Sequence, residues 1–191
     1  LTENRIVGRA LDNRIGGFII ARALSYLAQD EERPAATTYV VNAVQEEIGH
    51  NGANMVSYRL NPSVALVVDV THATDSPGID QKQHGEVKLG EGPSITHGTV
   101  NHPKVTERIM EVADELDISL QHEASSRFSG TDTDDIFKTR SGIPSALISL
   151  PIRYMHSPVE TADLGDVDRV AQVMAAFVRS ISPEDEFRVQ I

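Results

Sequence analysis

The chain contains no cysteine. It can therefore form no disulfide, offers no thiolate to a metal and has no cysteine nucleophile, so any bound metal must be held by oxygen and imidazole ligands. No apolar run approaches the roughly 18 residues of a membrane-spanning helix, and the N-terminus lacks the basic and then apolar pattern of a signal peptide. These absences predict a soluble protein without a membrane partner, for which the cytoplasm is the default location.

Basic residues are also scarce, with 17 Lys and Arg against 28 Asp and Glu and a net charge of -11. Nucleic-acid binding depends on clustered basic side chains that neutralise phosphates, and the chain has no such cluster. We therefore expect no nucleic-acid partner. Bound divalent cations would neutralise part of the acidity, and most of it would belong to a solvated surface.

The length of 191 residues and a hydrophobic content of 40% predict one globular domain over residues 1–191. Short β-branched runs alternate with helical periodicity, which is typical of an α/β sheet with helices packed on it. The patterns predict helices over 17–28, 52–58, 103–116, 131–139 and 167–181, strands over 37–44, 64–70, 118–123 and 145–150, and a hairpin or loop over 78–95.

Carboxylates lie at the carboxyl ends of two of the predicted strands. Glu46 and Glu47 come directly after strand 37–44, and Asp69 follows the apolar residues 65–68. Open α/β sheets keep their ligand sites at the carboxyl ends of their strands. One glutamate of the pair could hold a metal while its neighbour handles protons. The alternative for Asp69 is an ordinary residue of a turn at the end of a strand.

Two more residues of metal-ligand type lie at comparable places. Asp12 precedes a predicted helix, where it could equally be a capping carboxylate that complements the helix dipole. His156 lies just beyond strand 145–150, where the alternative is a hydrogen-bonded loop histidine. Each alternative is reasonable alone, but ligands delivered by several independent strand ends together predict a two-metal hydrolase site.

Five motifs occur in the order found in one family of enzymes. They are GRALDNRIGG around Asp12, VQEEIGHNGA around Glu46, VVDVTHATDSPG around Asp69, SGTDTD from Ser129, and the segment 141–168 with PIRYMHSPVET. With these motifs the chain resembles the dinuclear zinc aminopeptidases of metallopeptidase family forty-two. These assemble into tetrahedral particles and include glutamyl, leucyl, lysyl and deblocking aminopeptidases and some proteins named endoglucanase.

The resemblance implies roles for the site residues. Asp12 would bridge two divalent metal ions, with zinc expected and cobalt or manganese as alternatives. Glu47 and His156 would complete one metal site with Asp12, and Asp69 would serve the other. Glu46 would be the general base that takes a proton from a metal-activated water.

The resemblance also implies a fold and partners: a three-layer α/β/α sandwich of the zinc-exopeptidase type, peptide substrates, and a homo-oligomer in the full-length parent. Thr131 and Asp132 would help to shape the specificity pocket, although Ser129 or Thr131 could also simply cap a helix. Arg153 would contact a substrate carboxylate or carbonyl, or would instead pair with an acidic neighbour such as Glu160. The preferred N-terminal residue stays open.

One part of the family pattern has no counterpart in this sequence. The family supplies a further histidine ligand, and an inserted β-rich domain, upstream of the motif around Asp12, whereas this sequence starts at Leu1. We therefore expect it to be the C-terminal part of a catalytic domain, with weak or absent binding of the second metal and reduced activity. His72 is the nearest substitute ligand, and His50 could help to shape the pocket. The other histidines, which we expect at the surface or hydrogen-bonded, are His84, His97, His102 and His122.

Three functions remain open from the sequence. The first is a metal-dependent aminopeptidase. The second is a catalytically incomplete fragment or assembly module that lacks the upstream ligand. The third is an endoglucanase, which would need two carboxylates flanking a sugar, and adjacent glutamates among metal ligands suit that chemistry less well.

Overall fold

Six strands form one mixed sheet in the computed structural model, which describes residues 4–188. The strands are β1 (Arg5–Gly8), β2 (Ala65–His72), β3 (Ser94–Gly98), β4 (Gln121–Ser125), β5 (Ser145–Arg153) and β6 (Glu160–Asp163). The helices are α1 (Leu11–Leu27), α2 (Asn51–Leu60), α3 (Gln81–His84), α4 (Pro103–Glu115), α5 (Thr133–Ile136) and α6 (Leu164–Ser180), with a 3-10 turn at Glu46–Ile48.

Strand β5 is the centre of the sheet. It pairs in parallel with β2 along its whole first eight residues and antiparallel with β3 and β6, and the sheet continues from β6 to β1 and from β3 to β4. Residues 145–152 are all buried. Because successive side chains of a strand point to opposite faces, both faces of the sheet must be covered at β5. This confirms the predicted α/β sandwich.

The main core lies where α1, α4 and α6 pack together and against the sheet. Ile19 of α1, Val170 of α6 and Ile148 of β5 are completely buried. Helix α6 begins three residues earlier than predicted, because the Asp163 side chain accepts a hydrogen bond from the Gly165 amide and caps the helix. No helix within residues 4–188 is long and apolar enough to cross a membrane.

The predicted strand over residues 37–44 is wrong. The segment has no regular secondary structure and forms no ladder, and Tyr39, Val40 and Val44 are exposed. A strand needs a neighbouring strand for its amides and carbonyls, and none lies beside this segment in the part of the chain described. The residues have strand propensity without a strand partner.

Smaller differences concern boundaries. Strands β1 and β6 were missed because each has four residues and little apolar pattern. The predicted helix over 131–139 is confined to α5, the predicted strand over 118–123 is shifted to β4, and the predicted hairpin or loop over 78–95 contains α3 and the start of β3.

A cleft of about 920 Å³ runs beside β2. Its walls are apolar side chains of α1, α2, α6 and β2, such as Leu24, Val56, Phe177 and Leu66, and the unpaired segment around Tyr39 borders it. Among the described strands only β5 pairs with β2, so the other edge of β2 has no strand neighbour.

Candidate metal centre

Three side chains from distant parts of the chain converge at one point. Ligand atoms of Asp12, Glu47 and His156 all lie within 4.8 Å of one another. The His156 Nε2 atom is 3.0 Å from Oδ2 of Asp12 and 3.5 Å from Oε2 of Glu47. The Asp12 side chain is nearly buried, whereas the other two are more than half exposed. The structure therefore brings together the three residues that were predicted to hold one metal.

Each member of this cluster lies in an irregular piece of backbone. Asp12 is at the start of α1, after the left-handed residue Ala10, but its own backbone is not helical (φ -74°, ψ 112°) and its side chain does not cap the helix. Glu47 is in the 3-10 turn, and His156 is itself left-handed in the turn between β5 and β6. Burial raises the pKa of the Asp12 carboxyl, and the negative charge of Glu47 adds to the effect.

Glu160 lies behind this cluster and was missed as a site residue. It is 2% exposed, and its carboxylate accepts hydrogen bonds from the backbone amides of Asp12 (3.1 Å) and His156 (2.9 Å). The sequence suggested it only as a partner of Arg153. Its position four residues after His156, within the PIRYMHSPVET motif, was the one available signal.

Asp69 lies inside β2 rather than after its end, because the strand continues to His72. It is 7% exposed, and its Oδ1 atom accepts hydrogen bonds from the Val70 amide (2.8 Å) and from Asn13 Nδ2 (2.9 Å). Burial raises the pKa of Asp69 to about 7, and the negative charges of Glu46 and Asp12 contribute to the rise. A buried carboxyl surrounded by acids is a group that a cation would stabilise in its charged form.

Asn13 ties the start of α1 to β2. Its Nδ2 group donates to Asp69 Oδ1 and to the Val68 carbonyl (3.0 Å), and its Oδ1 atom accepts from the Gly16 amide (2.8 Å). A Cβ atom at Gly16 would lie 2.3 Å from that Oδ1 atom, so any larger residue would force the Asn13 side chain out of these hydrogen bonds. The spacing of asparagine and glycine in the LDNRIGG motif is thus explained by contacts at the site.

Glu46 points to a different partner from Glu47. Its Oε1 atom is 3.4 Å from His50 Nε2, and His50 Nδ1 is 3.0 Å from Asp135 Oδ2. Burial raises the pKa of Glu46, while the nearby His50 lowers it and the charge of Glu47 raises it. His50 thus lies between two carboxylates, and it is not among the residues that line the cleft.

The predicted substrate residues lie on the loop that leads into α5. Thr131 is buried and its hydroxyl accepts from the Thr133 amide, so it does contribute to the start of the helix. Asp132 lines the cleft together with Glu46, and its buried Oδ1 atom has no hydrogen-bond partner among the described residues. Burial raises the pKa of Asp132, while the nearby His50 lowers it.

Arg153 is held by a different acid from the one considered in the sequence. Its guanidinium donates to both oxygens of Asp75, at 2.9 and 2.7 Å, in a bidentate pair. Glu160 is instead occupied by two backbone amides. Arg153 therefore forms a charge-assisted ion pair with Asp75 in this structure and not with Glu160.

The remaining histidines lie outside the cluster of three donors. His72 is exposed at the end of β2, and His97 and His122 face each other with ring nitrogens 2.9 Å apart.

The donor set suits a divalent metal. Carboxylate oxygens and an imidazole nitrogen separated by 3.0 and 3.5 Å can share one cation bound at about 2.0–2.2 Å. The α/β sandwich and this donor set together define a protein with a candidate hydrolytic metal centre.

Comparison with known proteins identifies the family. The chain belongs to the M42 glutamyl aminopeptidase family, whose sequence profile matches residues 1–173. It is 37% identical over 185 residues to a lysyl aminopeptidase of Pyrococcus furiosus, covering 97% of this chain and 51% of that protein. The resemblance seen in the sequence is thereby confirmed.

Solved structures agree with this. An aminopeptidase from the archaeon Desulfurococcus kamchatkensis has a TM-score of 0.86 and 35% identity, with 96% of this chain and 51% of that chain covered. A structure described as the PhTET1 dodecamer has a TM-score of 0.80 and 25% identity, with coverages of 95% and 52%. Some neighbours carry the name endoglucanase. The chain spans about half the length of the curated relatives it matches.

Proposed function

We propose that the chain carries the metal centre and the general base of an aminopeptidase that hydrolyses N-terminal residues of peptides. The observation that carries the proposal is the convergence of Asp12, Glu47 and His156 beside the separate acid Glu46. Membership of the M42 family and the aminopeptidase names of its relatives support the reaction class.

The residues divide between two cation positions. Asp12, Glu47 and His156 would hold one divalent ion, and Asp69 with Asp12 would contribute to a second. When bound, such ions lower the pKa of water and polarise the scissile carbonyl. Oxygen and nitrogen donors accept zinc, cobalt or manganese, and zinc is the expected ion.

Glu46 is the proposed general base. Its carboxylate is partly buried and does not belong to the cluster of three donors, so it is free to accept a proton from the attacking water and to deliver it to the leaving amine. His50, which contacts Asp135, also lies 3.4 Å from the Glu46 carboxylate and would help to orient it.

The cleft beside the site would receive the peptide. Asp132 has a buried oxygen without a hydrogen-bond partner among the described residues, which could accept a hydrogen bond from a substrate donor. Thr131 precedes it on the same loop and would act on the pocket through the position of Asp132. Arg153 stays a candidate contact to a substrate carboxylate or carbonyl, although such a contact would have to compete with Asp75.

A second candidate is a catalytically incomplete module that depends on further polypeptide. The apolar cleft and the edge of β2 without a strand neighbour favour it, together with the coverage of only half of each relative's length. One structural neighbour is described as a dodecamer, and we propose that the full-length parent of this chain is also a homo-oligomer. We also propose a cytoplasmic location. An endoglucanase ranks third, because the two adjacent glutamates face different partners rather than flanking one sugar site.

The test combines metal analysis with turnover. The purified chain is assayed for metal content and for hydrolysis of Leu- and Glu-p-nitroanilide with and without added Zn²⁺ or Co²⁺. For the aminopeptidase, Glu46→Gln should keep the metal and lose about 10²- to 10⁴-fold in kcat, as expected for removal of a general base. His156→Ala should lose metal and activity together.

The outcomes separate the candidates. Metal-dependent turnover that Glu46→Gln abolishes supports the first proposal. Metal binding without turnover supports the incomplete module. Failure to bind any divalent ion contradicts the metal centre itself.

A further inference from the structure

Glu160 is a buried carboxylate whose hydrogen bonds come from backbone amides. It is 2% exposed, and no ion pair within residues 4–188 includes it. One oxygen accepts from the Asp12 amide and the other from the His156 amide. Burying a carboxylate is costly unless hydrogen bonds satisfy it, so these two amides are the contacts that make its burial tolerable.

The two amides belong to segments that are far apart in the sequence. Asp12 lies 148 residues before Glu160, and His156 lies four residues before it. Glu160 is the first residue of β6 and stands opposite Gly8, the last residue of β1. The pairing of β1 with β6 therefore places the carboxylate at the point where the chain turns from β1 toward Asp12.

We infer that Glu160 is a positioning residue of the metal centre: by holding both backbones, it sets Asp12 Oδ2 and His156 Nε2 at their separation of 3.0 Å before a cation arrives. The inference rests on the proposed function, since it assumes that these two side chains hold a divalent ion. A site organised in advance binds more tightly, and loss of groups that orient metal ligands typically lowers metal affinity about 10- to 100-fold.

The substitution Glu160→Gln tests the positioning role. Glutamine retains one acceptor oxygen but places an NH₂ group against the second backbone amide, so that two donors face each other and one hydrogen bond is lost. A matched control is Asp166→Asn. Asp166 is likewise buried, and its oxygens accept from the backbone amides of Gly90 (2.6 Å) and Gly92 (2.9 Å), away from the donor cluster. It differs from Glu160 in also pairing with Arg169 at 2.9 Å. Both variants should lower the melting temperature of the metal-free protein.

Metal affinity separates positioning from mere stability. Calorimetric titration with Zn²⁺, or the visible absorption of bound Co²⁺, should show an affinity about 10- to 100-fold lower for Glu160→Gln. Asp166→Asn should bind like the wild type. If Glu160→Gln is destabilised but binds Zn²⁺ as tightly as the wild type, the carboxylate is only structural and the inference is wrong.

Two further measurements cover the remaining outcomes. His156→Ala should lose Zn²⁺ affinity, and if it does not, both the proposed metal centre and the inference are wrong. If His156→Ala loses Zn²⁺ affinity but Glu160→Gln does not, only the inference is wrong. In the wild type, the amides of Asp12 and His156 should be protected from hydrogen exchange in chelator, before any metal is added. Protection that appears only with Zn²⁺ would refute positioning in advance, and this holds even if Glu160→Gln does not fold.

Discussion

Asp69 should make the stability of the metal-free protein fall as the pH rises through neutrality. Its carboxyl is 7% exposed inside β2, and burial raises its pKa from 3.8 to about 7. Because the folded pKa is above the unfolded one, the stability that this group contributes is fully present below pH 3.8. It is lost as the pH rises through about 7.

The size of the effect follows from the two pKa values. They differ by about three pH units, and each unit corresponds to about 1.4 kcal/mol, so the free energy of unfolding should fall by about 4 kcal/mol between pH 4 and pH 8. Domains of this kind are stable by only about 5–15 kcal/mol. Ionisation of Asp69 alone would therefore remove a large share of the stability unless a cation offsets it.

The assay is urea unfolding in the presence of chelator at several pH values, on the wild type and on Asp69→Asn. The asparagine oxygen can still accept from Asn13 and from the Val70 amide, so the variant removes the titration and keeps the contacts. The wild type should lose about 4 kcal/mol relative to Asp69→Asn as the pH rises. Asp114→Asn, at an exposed position on α4, is the control and should follow the wild type. Parallel curves for the wild type and Asp69→Asn would refute the reasoning.

Two further predictions concern the support of the site. Gly16→Ala should destabilise the protein by more than about 1 kcal/mol in thermal unfolding, because its Cβ would lie 2.3 Å from Asn13 Oδ1. The control is Gly17→Ala, whose Cβ would meet nothing closer than 3.8 Å and which should be much less destabilising. Arg153→Lys should cost about 1–3 kcal/mol because lysine cannot reproduce the bidentate pair with Asp75. In a double-mutant cycle with Asp75→Asn the two losses should be strongly non-additive, and simple additivity would contradict the assigned pair.

Apolar patterning was sufficient to predict the main elements. Residues 64–70 and 145–150 read as strands because buried parallel strands are nearly continuous in aliphatic residues, and the two segments pair with each other in parallel in the structure. Helix α4 was marked by Pro103 at its first turn, which a helix N-terminus tolerates.

The errors have physical causes. Residues 37–44 have the β-branched composition of a strand, but strand formation depends on a partner that local sequence does not reveal. Glu160 escaped notice because its importance comes from two backbone amides, one of them 148 residues away, and backbone donors leave no trace in side-chain patterns. Asp75 was likewise invisible as the partner of Arg153, since 78 residues separate them.

The adjacent glutamates were singled out because they follow a predicted strand that residues 37–44 do not form. At the end of a regular strand, Glu46 and Glu47 would point to opposite faces of a sheet. They lie instead in a 3-10 turn, where successive side chains are about a third of a turn apart, and the left-handed residue Gln45 directs the chain into that turn. This geometry lets Glu47 reach His156 while Glu46 stays within reach of His50. The turn thus allows the proposed roles of Glu47 as a metal ligand and Glu46 as a general base. These roles require two adjacent carboxylates but no strand before them.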